Sequence, residues 1–345
     1  MNIDRPQHVA FACLAVTAVG WALNFTLMKF LLLEWPPLFA GGLAGLVGAG
    51  VLALVALRLG QPLVLPRRLI GRVAAEGFTN VFAWMGFSTL ALLWLPVSES
   101  LLLLYTTPIW AALLAWPIQG TRPSGRTVLS LALGLTGVSW LLGGHGGAGS
   151  GGQLLGWALS LGAGLLFALG TVLHRTPADL PFVTRTAWQV GMGCLPLALL
   201  GLLVERPHFS ALSPSGFGIM VYMAVVAMAL CYVTWFSALR RLPASTASAG
   251  LLSVPVLGML IAAVVLGEPL GPREILGMML TLGGVPVAVR PSPDRARAAG
   301  AASRSGSTTS PSSGARAMNP WSVTFRSIST SGSQKPPTLS RQKGL

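Results

Sequence analysis

Charge is what this chain most lacks. Only 9% of its 345 residues are Asp, Glu, Lys or Arg, while 53% are hydrophobic; an ordinary soluble domain carries about 25% charged residues. That balance excludes a soluble globular fold. Lysine occurs only as Lys29, Lys335 and Lys343, none following a Gly, so there is no phosphate-cradling loop and ATP cannot drive the chain's work. The only aspartates are Asp4, Asp179 and Asp294, and His8, His145, His174 and His208 are scattered over different connections. A membrane-embedded enzyme would need such groups clustered. Cys13, Cys194 and Cys231 are odd in number and each lies in an apolar run, where it acts as a small hydrophobe rather than a disulfide partner. The expectation is no enzyme: no catalytic residues, no cofactor and no metal.

Long apolar runs are what the chain has instead. About 20 consecutive apolar residues cross a bilayer, and ten such runs are readable over 9–31, 36–57, 72–93, 97–117, 127–143, 153–173, 183–204, 215–238, 243–266 and 271–289. The first is too long and too closely followed by others for a signal peptide, and reads as an uncleaved helix. The formal charge of +14 divides into +8 from Arg290 onward and +6 before it, so a nucleic-acid partner is not implied. Alternate connections differ in basic residues. One set holds Arg5, Arg58, Arg67, Arg68, Arg72, Arg122, Arg126, Arg175, Arg185, Arg240 and Arg241; the other holds Lys29, Arg206 and Arg273. Cytoplasmic loops are the basic ones, which puts both termini inside.

The two halves of the chain match at an offset near 147 residues. Leu95-Pro96-Val97-Ser98 matches Leu242-Pro243-Ala244-Ser245, Pro108 matches Pro255, Gly120 matches Gly267, and Gly137-Val138 matches Gly284-Val285. Trp21-Ala22-Leu23 and Lys29 match Phe167-Ala168-Leu169 and Arg175, one residue out of that register. A five-helix unit crosses an odd number of times, so its second copy enters upside down, as in many secondary transporters. The expected architecture is an all-α integral membrane protein of ten transmembrane helices in two inverted five-helix repeats. Residues 1–143 form the first, 144–152 a Gly-rich linker, 153–289 the second, and 290–345 a disordered, basic, Ser-rich tail.

The chain resembles the EamA group of the drug/metabolite transporter superfamily. The resemblance is carried by Trp21-Ala22-Leu23-Asn24-Phe25, by Pro36-Pro37, and by Leu239 to Pro243 leading into Ala247 to Pro255. Leu266-Gly267-Glu268-Pro269-Leu270 and Gly277 with Gly283-Gly284-Val285 add to it. It implies a secondary transporter of the cytoplasmic membrane, exporting amino acids or related small metabolites. The chain departs from the pattern in having Thr121 where the second repeat has Glu268, and Phe39-Ala40-Gly41-Gly42 where an Arg commonly follows the Pro-Pro. Efflux of drugs or other solutes on the same fold, and a receptor or scaffold without transport, stay open.

Polar side chains inside hydrocarbon are costly unless they face protein or a wet cavity. Helical spacing puts Thr17, Trp21, Asn24 and Met28 on one stripe, Glu76, Asn80, Trp84 and Phe87 on another, and Glu99, Thr106 and Trp110 on a third bordered by Tyr105. Cys231, Thr234, Trp235 and Ala238 form a fourth beside Tyr232. The substrate-binding candidates are Trp21, Asn24, Asn80, Trp84, Tyr105, Thr106, Tyr232 and Trp235. Such a lining suits a small amphiphilic solute: aromatic faces hold cationic or apolar groups, and the amides bond carboxylate or amide. Packing between helices remains the alternative for each tryptophan. Glu99 is the proton-coupling candidate, the alternative being an acid favoured at a helix N-terminus. Glu76 is expected to pair with Arg72 one turn earlier, and Glu268 to cap a helix. Pro108 and Pro255 are hinge candidates inside the fourth and ninth runs. The small-residue row Gly156, Ser160, Gly164 and Ala168 indicates close helix approach. The expected partners are a small-molecule substrate and membrane lipid, with no nucleic acid, and a homodimer is left open.

Overall fold

A computed structural model describes residues 5–120, 125–143, 151–173, 180–239, 241–242 and 250–289. Residues 144–150 of the expected linker, the tail from Arg290 onward, and Arg122, Arg175 and Arg240 lie outside the described residues, while the linker's last two residues, Gly151 and Gly152, already belong to a helix. The described chain is helical, with no strand: α1 (Arg5–Leu31), α2 (Pro37–Arg58), α3 (Arg67–Gly77), α4 (Ala83–Ala91), α5 (Val97–Leu104), α6 (Thr107–Gln119), α7 (Gly125–Gly143), α8 (Gly151–Leu173), α9 (Phe182–Val204), α10 (Pro214–Val221), α11 (Cys231–Leu239), α12 (Ser253–Leu266) and α13 (Pro272–Val289). Among the described residues, six helices or continuous helical runs are long and apolar enough to cross a membrane: Gln7–Leu31, Pro37–Arg58, Val97–Gln119, Gly151–Leu173, Phe182–Val204 and Pro214–Leu239.

Two joints are π-helical rather than α-helical. Phe78–Phe82 links α3 to α4, and Tyr222–Leu230 links α10 to α11. A π turn takes more than 3.6 residues and shifts the phase of everything beyond it. This corrects the single stripe expected of Glu76, Asn80, Trp84 and Phe87. Glu76 turns to α9, while Asn80 and Phe87 lie against Gly170 and Gly162 of α8.

The proline expectation also needs correcting. Pro108 is in the first turn of α6, and Pro255 is the third residue of α12. Neither interrupts a continuous helix, because the chain has already broken at Tyr105–Thr106 and at Leu252. First-turn amides have no intrahelical acceptor, so proline there sacrifices little. The two breaks are alike in detail: Thr106 Oγ1 donates to Leu103 O at 2.6 Å and Ser253 Oγ to Gly250 O at 2.6 Å. Each following helix ends on a left-handed glycine, Gly120 and Gly267, both at φ 68°. That backbone is open to glycine at little cost.

α2 and α9 run antiparallel along their whole length. Leu38 and Phe39 amides at the start of α2 donate to Glu205 at the end of α9, at 3.0 and 2.9 Å. Thr184 at the start of α9 donates from its hydroxyl to Pro62 O beyond α2, at 3.0 Å. Between these ends Gly42 meets the Ala198 backbone, Gly201 meets the Phe39 backbone, and Gly45 receives the Cys194 side chain. Around this pair α1 packs on α11 and α12, α8 packs on α4, α5 and α6, and α7 lies along α13. Ser160 of α8 approaches Ser100 of α5 at 3.3 Å, and Gly156 and Gly164 abut Leu95 and Leu104 O, the close approach expected of that row.

Charge is polarised along the bundle. Arg58, Arg67, Arg68, Arg72, Arg185 and Arg241 gather where α2 and α11 end and α3 and α9 begin. Glu34, Glu99, Glu205 and Glu268, with Lys29, gather at the opposite end.

Candidate functional site

Two aromatic groups occupy the middle of the bundle, and each joins helices from different halves of the chain. On one side the Trp21 ring of α1 stands edge-on to Tyr232 of α11 at 5.5 Å, with Trp235 at 6.4 Å. On the other, Trp84 of α4 lies 4.9 Å from Phe167 of α8 and edge-on to Tyr105 at 6.5 Å. Trp21 and Tyr105 both pack against Ala18, Ala22 and Val254, so Tyr105 stands between the groups. All six rings are half-buried. Phe167, the sequence counterpart of Trp21, meets Trp84 much as Trp21 meets Tyr232. It was absent from the candidates, although the match of Trp21-Ala22-Leu23 with Phe167-Ala168-Leu169 contained the signal.

Polar groups fix these rings. Trp21 Nε1 donates to Ala227 O in the second π segment at 2.9 Å, and Tyr222 OH to Gly20 O at 2.8 Å. Thr17 Oγ1 shares a 2.8 Å hydrogen bond with Thr234 Oγ1. Asn24 Oδ1, one turn beyond Trp21, is buried with no protein partner. A buried amide oxygen left unpaired costs about 1–3 kcal/mol, which a donor on a bound solute would relieve. Asn80 is differently placed: its Oδ1 accepts from Thr79 Oγ1 at 3.2 Å, beside Gly170. The Thr106 hydroxyl serves the helix break, donating to Leu103 O and accepting from Trp110 Nε1 at 3.1 Å. The structure therefore joins Trp21 with Tyr232 and Trp235 in one aromatic group and Trp84 with Tyr105 and Phe167 in another, and sets Asn80 and Thr106 into helix contacts.

Glu99 sits in the first turn of α5, only 6% exposed, and accepts from Trp157 Nε1 of α8 at 3.2 Å. Trp157 gives no sequence cue to that role. Glu76 is 1% exposed and its main partner is not Arg72 but Arg185: Nη2 is 2.6 Å from Oε1 and Nε 2.9 Å from Oε2, with Arg72 Nε at 3.5 Å. The i,i+4 partner was legible in sequence; a partner 109 residues away was not. Glu268 caps, as expected, and its helix is α5: Oε1 accepts from Val97 N at 2.7 Å and Oε2 from Ser98 N at 3.1 Å.

An apolar recess between α12 and α13, lined by Leu252, Ser253, Val256, Met278, Met279, Leu282 and Gly283, is separate from the aromatic groups. Its one hydroxyl, Ser253, already donates to Gly250 O. It offers a polar solute nothing. No group of three or more His, Cys, Asp or Glu suited to a metal occurs among the described residues.

A multi-pass helical membrane protein with half-buried aromatic groups at its centre is the form of a transporter. The chain belongs to the EamA-like transporter family, whose model matches residues 9–143 and again 154–290. It is 26% identical over 280 residues to the uncharacterized transporter YvbV of Bacillus subtilis, covering 80% of this chain and 90% of that one. It is 28% identical over 291 residues to a probable amino-acid metabolite efflux pump of Salmonella typhimurium, covering 80% and 92%. A solved crystal structure, 23% identical, aligns over 79% of this chain and 98% of its own with a TM-score of 0.56, a likeness of fold alone.

Proposed function

We propose that this protein is a secondary transporter of the cytoplasmic membrane that exports amino acids or related small metabolites by alternating access. In this reading the four shorter or more polar helical runs also span, giving ten spans in two five-helix units of opposite orientation, residues 1–143 and 153–289. The exchange of packing partners supports it: α1 on α11 and α12 corresponds to α8 on α4, α5 and α6. So do the matched break hydrogen bonds of Thr106 and Ser253 and the matched φ of Gly120 and Gly267. The arginine-rich end faces the cytoplasm by the bias of basic residues toward that side, and both termini lie there.

One observation carries the reading: a buried, unpartnered amide oxygen, Asn24 Oδ1, lies one turn beyond Trp21 of an aromatic group that joins the two halves of an apolar bundle. Aromatic faces take the ammonium or apolar part of an amino acid, and Asn24 takes a hydrogen-bond donor. The efflux name of the Salmonella relative agrees with the direction. The test compares metabolites released by cells with and without the gene, followed by uptake of the enriched compound into everted vesicles. Uptake lost in Asn24→Ala and Trp84→Ala is expected; no compound enriched by expression would end the proposal.

A further inference from the structure

We propose that Lys29 and Glu268 form a latch that holds the α1–α12 side to the α4–α5 side at the glutamate-rich end. This rests on the transport reading and adds to it the device that holds one end shut. Both residues lie on the α1, α11 and α12 side of the bundle, Lys29 in the last turn of α1 and Glu268 just past α12. Both reach across to the same short segment of the opposite side, the turn that joins α4 to α5.

The chemistry of that turn explains why two opposite charges fit it. α4 ends at Ala91 and α5 begins at Val97, so the turn presents the terminal carbonyls of one helix and the first amides of the next. Such groups lack intrahelical partners and carry opposite partial charges. Lys29 Nζ donates to Leu92 O and, at 2.8 Å, to Leu95 O. Glu268 accepts from the Val97 and Ser98 amides and, at 3.0 Å, from Ser98 Oγ. The ammonium therefore takes the carbonyl side and the carboxylate the amide side. Charge-assisted hydrogen bonds are roughly twice as strong as neutral ones.

The latch joins two sides rather than stitching one side to itself. α4 carries Trp84 and packs with α5 on α8, α1 and α12 pack on each other, and the two sides meet at this end through an apolar contact of Met28, Leu31 and Met259 with Leu92, Val97 and Leu101. The rings of Trp84 and Trp21 belong to opposite sides, and Lys29 lies two turns beyond Trp21 toward the latched end. Parting the sides there must strip both charges from the turn. The other carboxylate caps at this end do not reach the α4–α5 turn. Glu205 caps α2 from α9, and Glu34 caps α10 from the end of α1.

The test reads accessibility, not flux. A single thiol at Asn24→Cys, in a chain carrying Cys13→Ala, Cys194→Ala and Cys231→Ala, is labelled with a membrane-impermeant maleimide in intact-sided and everted vesicles. With the latch intact, labelling is expected from the arginine-rich end only. Glu268→Gln and Lys29→Met, made separately, are each expected to add labelling from the glutamate-rich end by fivefold or more while labelling from the other end persists, which also reports that the variant is folded. Labelling from the glutamate-rich end in the parent, or none gained in either folded variant, overturns the latch and leaves the transport reading standing. A thiol reached from neither end in any variant overturns both. If a variant fails to insert, the same measurement on Ser98→Ala with Glu268→Asp decides in its place, a partial gain being expected and no gain overturning the latch.

Discussion

The ring of Trp84 lies 4.9 Å from that of Phe167, tilted by 55°, on helices from different halves of the chain. Trp21 and Tyr232 repeat that relationship at 5.5 Å on the other side. If both pairs hold the solute, Phe167→Ala and Tyr232→Ala raise KM by about three- to tenfold each, the size of one aromatic pair. Substitution by Leu should restore bulk without restoring affinity. Equal KM for parent and both alanine variants would mean the rings only pack.

Glu76 and Arg185 make the second prediction. Removing one partner of a buried pair leaves a charge in the interior. Arg185 and Arg72 both reach solvent in part, so the cost of Glu76→Gln falls below the fully buried case, to about 2 kcal/mol. Thermal unfolding in detergent measures it. Replacing both Glu76 and Arg185 by Leu should recover most of the loss, and a double variant no better than the single would refute the pairing.

Glu99 is held by Trp157 in a nearly closed site. If it carries protons, Glu99→Gln abolishes the pH dependence of transport while the protein remains folded. A Glu99→Gln profile that overlays the parent assigns the residue to the helix terminus alone.

At the same end, Glu34 accepts from the Ser213 hydroxyl at 2.7 Å and from the Ser213 amide at 3.0 Å, and these bonds hold its carboxyl below the usual carboxylate range. A depressed acid stabilises the fold above its unfolded pKa, and that contribution is lost as pH falls through the folded value. The stability advantage of parent over Glu34→Gln should therefore be full near neutrality and fade as pH falls below the ordinary Glu range and through its lowered folded value. An advantage independent of pH would refute the tie.

Two glycines of α2 should behave in opposite ways. A side chain at Gly42 meets the Ala198 backbone, whereas Gly50 has open space around it. Gly42→Leu should cost about 3 kcal/mol or more through overpacking, and Gly50→Ala should be neutral or gain up to about 1 kcal/mol. Similar unfolding midpoints for the two would contradict the seam.

Apolar runs, bounded by Arg, Pro and Gly, were readable because a bilayer imposes length and composition on helices. Trp21, Trp84, Tyr105, Tyr232 and Trp235 were readable as inward-facing candidates because few polar or aromatic residues interrupt those runs at helical spacing; that they fall into two ring groups was not. What spacing misses is partners. Trp157 for Glu99, Arg185 for Glu76 and the α4–α5 turn for Lys29 and Glu268 are set by packing between segments far apart in sequence. The π segments were missed for another reason: Phe78–Phe82 and Tyr222–Leu230 carry no proline or glycine to announce a change of period.

The seam where Gly42 meets Ala198 and Gly201 meets Phe39 has a mechanical consequence. Backbones that touch leave little slack to slide, so α2 and α9 form the stiffest line in the bundle. If the protein works by alternating access, the flanking helices are the ones expected to swing about it.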